Sequence, residues 1–336
     1  MKAIDEHFPK TLLQAIRYFA NIDNCIKFLV SLRWPDGVTC PTCGSKDVSF
    51  LSTRRIWKCK NAHSQRQFSI KVGTIFEDSP IPLDKWLSAM WMICNDKNGI
   101  SSYEIHRALA ITQKSAWFLL HRLRVTMQTG DFCKFKGHCE ADETYIGGKA
   151  RNMHKHVKAR RIPGSGTAGK TIVMGILERG DDCKPKDRKI HSKVTAMVVA
   201  NNDRRTIHGQ IRENVEAGSA LYSDALQSYK GLDSDYIHQV VDHAEEYVRG
   251  KVHTNGLENF WSLTERMLRG TYVSVEPFHM FRYLDEESFR FNNRGTRKVP
   301  VNDAQRFILA ASQIVGKRLT FDHLTGKDTE RETQPF

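Results

Sequence analysis

The chain has 336 residues, enough for two or three units of ordinary size, and 40% of them are hydrophobic, enough for at least one core. No stretch approaches the run of about 18 uninterrupted apolar residues that a membrane-spanning helix needs, and the charges within MKAIDEHFPKTLLQAIRYFA read as a helix, not as a secretory leader. A formal net charge of +13 suits a polyanionic partner, although a merely soluble basic protein carries the same surplus.

Residues 1–34 have helical periodicity, with apolar Leu12, Leu13, Ile16, Phe19 and Ile22. Residues 35–80 are turn-rich and hold a metal-ligand pattern. Cys40 and Cys43 form a C-x2-C knuckle, Cys59 follows after fifteen residues, and His63 closes the set. Three thiolates and an imidazole make a closed tetrahedral Zn2+ shell with no position left for chemistry. Gly44 suits the knuckle's tight turn, and Val48–Ser52 and Arg55–Lys58 fit a ribbon hairpin. The alternative is three buried cysteines and a surface histidine. Cys25, Cys94, Cys133, Cys139 and Cys183 are scattered and fit reduced cytosolic thiols.

Residues 81–130 return to helical periodicity. Leu83–Cys94 is one amphipathic run. Two short helices then meet about a tight turn, with Ser102 and Thr112 as expected caps and Ile105, Leu109, Ala116, Leu119 and Leu123 as a shared inner face. This predicts a helix-turn-helix whose second helix enters a major groove, or else a plain helical hairpin packed on the next domain.

From residue 136 to about 315 strands and helices alternate. HCEADETYIGG, KTIVMGILER and SKVTAMVVAN read as strands, DRRTIHGQIRENVEAG as a helix, SALYSDAL and YIHQVVDH as strands, and TNGLENFWSLTERML as a helix. Three strands, a helix, two strands and a helix is the order of an RNase H-like fold, in which the first and fourth strands are neighbours. Between the first two strands runs a basic segment holding Lys155, Lys158, Arg160 and Arg161 and no acid, suited to phosphate contacts. Residues 316–336 are expected to form a polar tail.

That strand order brings Asp142 toward Asp224, and Glu258 near a helix start completes an acidic cluster. In-line cleavage of a phosphodiester uses two divalent ions about 3.5–4 Å apart, and hard Mg2+ wants oxygen ligands. Glu140 and Glu143 flank Asp142 as rivals, and any chain with 38 acids yields accidental triples. Phe260 and Trp261 either stack on a base or pack their helix on the sheet. His253 either orients an acid or phosphate or is an ordinary surface histidine. Phe281, Leu284 and Phe289 repeat at helical spacing and are expected in the core.

The ribbon through RQFSIKVGTIFEDSPIPL, then ADETYIGGK, LYSDALQSY and HTNGLENFWSLTERMLRGTYVSVEPFHMFRYLDEESFRFNNR, resemble the bacterial insertion-sequence transposases with an N-terminal zinc ribbon, the ISXO-like group. The resemblance runs from about residue 25 to 295. It implies a DDE-type transposase in which Asp142, Asp224 and Glu258 hold catalytic Mg2+ or Mn2+, with Asn255 and Asn259 as weaker neighbours of the third acid. It implies double-stranded DNA as partner, at terminal inverted repeats and at the target, a homo-oligomer on that DNA, and a bacterial cytoplasmic, nucleoid-associated location. Two positions depart from the group. Its usual Lys, seven residues after the third acid, is Glu265 here, with Arg266 beside it but about 100° around the helix as a substitute phosphate contact. The ribbon ends in CKNAH, not in C-x2-C. A catalytically inactive or domesticated DNA-binding relative, and a zinc-ribbon regulator, are the competing functions.

Overall fold

The computed structural model describes residues 8–128, 133–147, 170–180, 189–224, 227–241 and 253–327. The chain forms two units, Met1–Gln128 with Val301–Phe336, and Thr129–Pro300.

In the first unit, Thr11 and Gln14 close a capping box on α1 (Leu12–Phe19), and Asn21 caps α2 (Ile22–Arg33). Leu12, Leu13 and Ile16 are exposed, while Ala15 and Phe19 are buried, because Phe19 packs with Phe8 and Phe28 in one aromatic cluster. A three-stranded antiparallel sheet follows: β1 (Val48–Leu51), β2 (Ile56–Cys59) and β3 (Gln67–Phe68). Trp57 on β2 fills its core, in ring contact with Trp34, Phe50 and Phe68.

Helix α3 (Leu83–Asn95) was expected to be amphipathic, yet nine of its residues are buried, including Trp86, Met90 and Trp91, because α1 and α2 pack on it. Then come α4 (Ser102–Leu109) and α5 (Gln113–Val125). The cap of α4 is Ser101, one residue before the expected Ser102, because Glu104 completes a capping box with it; Thr112 caps α5 as expected. Ala110 takes the left-handed conformation (φ 49°) that turns one helix into the next. Ile105, Ala116, Leu119 and Leu123 are buried as expected. The second half of α5, His121–Arg124, is buried as well, which leaves its first turn as the part open to a partner.

The second unit is a mixed five-stranded sheet in the order β6-β5-β4-β7-β8. β4 (His138–Ile146), β5 (Thr171–Glu178) and β6 (Lys193–Val199) are antiparallel. The chain crosses over through α6 (Arg204–Asn214), capped by Asp203, to place β7 (Ala220–Asp224) parallel to β4, and β8 (Ile237–Val241) parallel to β7. On one face Ile207 and Ile211 of α6 pack on Cys139, Ala141, Met174, Ile176 and Leu221. The other face is covered by α7 (Asn255–Arg266) and α8 (Met280–Asn292), through Leu257, Phe260, Trp261 and Leu284. Leu284 and Phe289 are buried as expected, whereas Phe281 is exposed, since it lies on the side of α8 away from the sheet. The Asn292 side chain extends the edge strand, accepting the Val194 N–H and donating to its carbonyl, both at 2.7 Å.

The end of the described chain belongs to the first unit. The catalytic region was expected to reach residue 315, but α9 (Asp303–Ser312) packs on α3, where Phe307 lies 5.1 Å from Trp91 and 5.3 Å from Phe28, ring to ring. The expected polar tail starts later than residue 316. Helix α10 (Phe321–Leu324) buries Leu324 and sets Phe321 against Phe118 of α5, because these apolar residues find partners that composition alone did not reveal.

Candidate active site and zinc centre

The ribbon gathers Cys40, Cys43, Cys59 and His63 so that their ligand atoms all lie within 4.8 Å of one another. Cys40 Sγ is 3.4 Å from His63 Nε2, and Cys43 Sγ is 3.6 Å from Cys59 Sγ. Gly44 has φ +70°, and its N–H donates to the Cys40 carbonyl at 2.8 Å, closing the knuckle. Burial opposes the Cys40 thiolate, but the Cys43 and Thr42 amides aimed at its sulfur outweigh it and bring the thiol down to about 6. The donor set and its closure fit a structural Zn2+.

In the second unit the printed pairing of β4 with β7 runs His138–Ala220, Cys139–Leu221 and Glu140–Tyr222. Both strands run on past this paired stretch, β4 through Asp142 and β7 to its end at Asp224, two residues beyond Glu140 and Tyr222. Alternation along each strand turns both acids toward the face covered by α7, the helix that carries Glu258. Asp142 faces Gly175 on β5, where a Cβ would stand 2.6 Å from the Trp261 ring. The glycine thus lets Trp261 lie flat on the sheet and donate its indole N–H to Asp142 Oδ2 at 3.0 Å.

Burial pushes the Asp142 carboxyl up to about 6; the Trp261 hydrogen bond acts against this, and the charges of Asp224 and Glu258 add to it. Among the described residues, the Cys3His group is the one set of three or more His, Cys, Asp or Glu side chains gathered closely enough to hold a metal ion; the three acids are not gathered in that way. Glu258 is exposed on α7. Of the two rivals, Glu143 points to the opposite face, beside Tyr229. Its carboxylate oxygens are buried, and burial followed by the charge of Asp224 pushes it up to about 8, against the pull of the Tyr229 hydroxyl. Glu140 lies on the Asp142 face with both oxygens engaged: Arg179 Nε donates to Oε1 at 2.7 Å and Leu257 N–H to Oε2 at 3.0 Å.

Residues 134–292 match the ISXO2-like transposase domain, and residues 21–65 match the transposase zinc-ribbon domain. An uncharacterized transposase-like protein of Haemophilus influenzae is 34% identical over 102 residues, which is 30% of this chain and 82% of that protein. The chain belongs to the ISXO2-like transposase family. A second relative of this transposase, an uncharacterized protein in transposable element ISH50 of Halobacterium salinarum, is 25% identical over 309 residues, 88% of this chain and 99% of that protein. No helix among the described residues is long and apolar enough to cross a membrane.

The expected phosphate-contacting residues Lys155, Lys158, Arg160 and Arg161 lie outside the described residues of the transposase. Arg266 is exposed at the end of α7, and Glu265 next to it pairs with Arg269 at 3.2 Å. Asn255 and Asn259 are exposed on the same helix. Phe260 and Trp261 are buried, so they pack their helix, and the readings that placed them against a base or against the sheet resolve to the sheet. His253 is not an ordinary surface residue: its ring Nδ1 lies 3.0 Å from Arg179 and 3.6 Å from Glu140. The hydrogen bond from Trp261 to Asp142, and the part played by Arg179, were not foreseen. Spacing along one chain does not report which indole crosses a sheet, although the glycine opposite Asp142 was a usable signal.

Proposed function

We propose that this transposase is a DDE-type enzyme on an RNase H-like domain, in which Asp142, Asp224 and Glu258 form the catalytic acidic cluster. The single observation that carries the reading is that β4, which holds Asp142, lies parallel beside β7, which ends at Asp224, on the sheet covered by the helix that bears Glu258. The sheet order, with the fourth strand beside the first, supports the RNase H-like assignment. The domain plan is an N-terminal helical segment, a zinc ribbon, a helix-turn-helix-like region and the catalytic domain.

The donor set consists of hard carboxylate oxygens, and burial, with the charges of Asp224 and Glu258 adding to it, already raises the Asp142 carboxyl, a cost that a divalent cation relieves. These three residues would hold Mg2+ or Mn2+, which when bound supplies activation of the attacking oxygen and stabilisation of the leaving one. Trp261 fixes one oxygen of Asp142, and the apolar floor of Leu257, Phe260 and Trp261 keeps α7 in place on the sheet. Hydrolysis of one strand frees a 3′-hydroxyl. Attack of that hydroxyl on a phosphorus of a second DNA forms one P–O bond and releases another 3′-oxygen, which joins the strands. The partners are double-stranded DNA at the terminal inverted repeats and at the target, held by a multimer at the nucleoid in the cytoplasm. Lys155, Lys158, Arg160, Arg161 and Arg266 are assigned to its phosphates.

The test is strand cleavage of DNA carrying the element's ends, with the wild type and Asp142→Ala. Mg2+-dependent cleavage that is lost in the variant while DNA binding persists is the expected result. Binding without cleavage by either protein would leave a DNA-binding transposase relative without the nuclease.

A further inference from the structure

The first turn of α7 is capped in an unusual way. Its N-cap residue, Thr254, makes no side-chain cap, although a threonine hydroxyl there is the ordinary solution. The cap comes from the sheet instead. Glu140, on β4 and 1% exposed, accepts the Leu257 N–H at 3.0 Å, and the Gly256 amide is turned to the same carboxylate. A Cβ on Gly256 would stand 2.7 Å from Glu140 Oε2, so a larger residue there must push the carboxylate aside. Arg179, just beyond β5, donates to Glu140 Oε1 at 2.7 Å, reaches the His253 ring at 3.0 Å and lies over the Tyr222 ring at 4.3 Å.

Burying an ion pair is a poor way to gain stability. What this one does is fix places. Around Arg179, which follows β5, its other members sit on β4, on β7 and at the start of α7, each one or two residues from a proposed catalytic acid: Glu140 from Asp142, Tyr222 from Asp224, and Leu257 from Glu258. Because both of its oxygens are taken, Glu140 is not itself a free metal ligand.

We propose that Glu140 is a positioning residue that, with Arg179, sets where Glu258 stands relative to Asp142 and Asp224; the proposal rests on the acidic-cluster reading above. The test uses the full-length, zinc-loaded protein and Mn2+ alone as probe, read by electron paramagnetic resonance, with amide hydrogen exchange of the metal-free protein alongside. Glu140→Ala is expected to speed exchange in residues 255–260 and to weaken Mn2+ binding about tenfold, the usual scale for a partner that orients a ligand. Glu140→Gln, which keeps an acceptor for the Leu257 amide, is expected to recover most of that loss. Gly256→Ala is expected to reproduce it from the other side of the contact.

In a Glu258→Ala background, Glu140→Ala should cost no further Mn2+ affinity, because the two residues act as a unit. A merely structural role would instead give the same loss with or without Glu258. Wild-type Mn2+ affinity in both Glu140→Gln and Gly256→Ala, or full additivity with Glu258→Ala, overturns the proposal, and these variants decide it if Glu140→Ala does not fold. A wild type that binds no Mn2+ and cuts no DNA overturns the acidic-cluster reading and this inference with it. A wild type that binds and cuts, with unaffected variants, overturns the inference alone.

Discussion

Trp261 donates its indole N–H to Oδ2 of Asp142 across the width of a packed helix and sheet, at 3.0 Å. The same ring rests on Gly175, the partner of Asp142 on the next strand. One side chain thus holds both the position of α7 and the orientation of the carboxylate.

Trp261→Phe keeps an aromatic ring on Gly175 and removes the donor. Asp142 already sits at about 6, and the lost hydrogen bond was holding it down, so its carboxyl rises further in the variant. A hydrogen bond to a charged group is worth about 1.5 kcal/mol, which corresponds to roughly one pH unit. The acidic limit of DNA cleavage is therefore expected to move to higher pH by about that much, as a pH–rate profile will register. An unmoved limit would mean that the indole only packs.

Gly175→Ala is expected to destabilise the second unit by about 1–3 kcal/mol, since the new methyl meets Trp261 Cζ2 at 2.6 Å and Leu257 Cδ2 at 2.9 Å. Urea unfolding followed by circular dichroism measures it. Stability equal to the wild type would show that α7 is free to lift from the sheet.

Glu143 gives a pH signature in the metal-free protein. Its folded value is raised to about 8 from an ordinary value of 4.5, so between those limits the folded state holds a proton that the unfolded chain has lost. Stability is then lost as pH rises through that window. Glu143→Gln should leave the melting temperature unchanged near pH 4.5 and raise it at pH 8.5, by the equivalent of up to a few kcal/mol. Equal shifts at both pH values would disprove this account.

Removing zinc should unfold the ribbon. One zinc per chain is expected by elemental analysis, and its chelation should change the tryptophan fluorescence, because Trp57, on the strand that ends at the ligand Cys59, meets Trp34 edge to face with ring centres 5.6 Å apart. Structural zinc of this kind contributes on the order of 10 kcal/mol. Cys59→Ser should behave as the chelated protein does.

DNA binding should weaken steeply with salt. Replacing Lys155, Lys158, Arg160 and Arg161 by alanine should lower the slope of log K against log salt by about 3 to 4. A slope that stays constant would place the phosphate contacts elsewhere.

The zinc ligands and the strand order were legible because they depend on local spacing and local runs: C-x2-C before a hairpin, and short apolar runs such as TIVMGILE that match β5. That the strands of Asp142 and Asp224 are neighbours was legible only through the strand order. What was hidden depended on contacts between distant segments. Leu13 and Ile16 share the apolar periodicity of Phe19, but the helix buries Phe19 against Phe28 and Phe307 and leaves the other two exposed. Glu140 read as a rival acid, and nothing in its neighbours along the chain announced a helix terminus more than a hundred residues away.

Phe307 arrives from the far end of the chain to stand among Phe8, Phe19, Phe28 and Trp91. A nonsense codon near residue 300 would therefore spare every strand of the acidic sheet and strip the aromatic centre from the zinc-bearing half. Damage late in the gene is expected to blind the protein to its DNA before it blunts the blade.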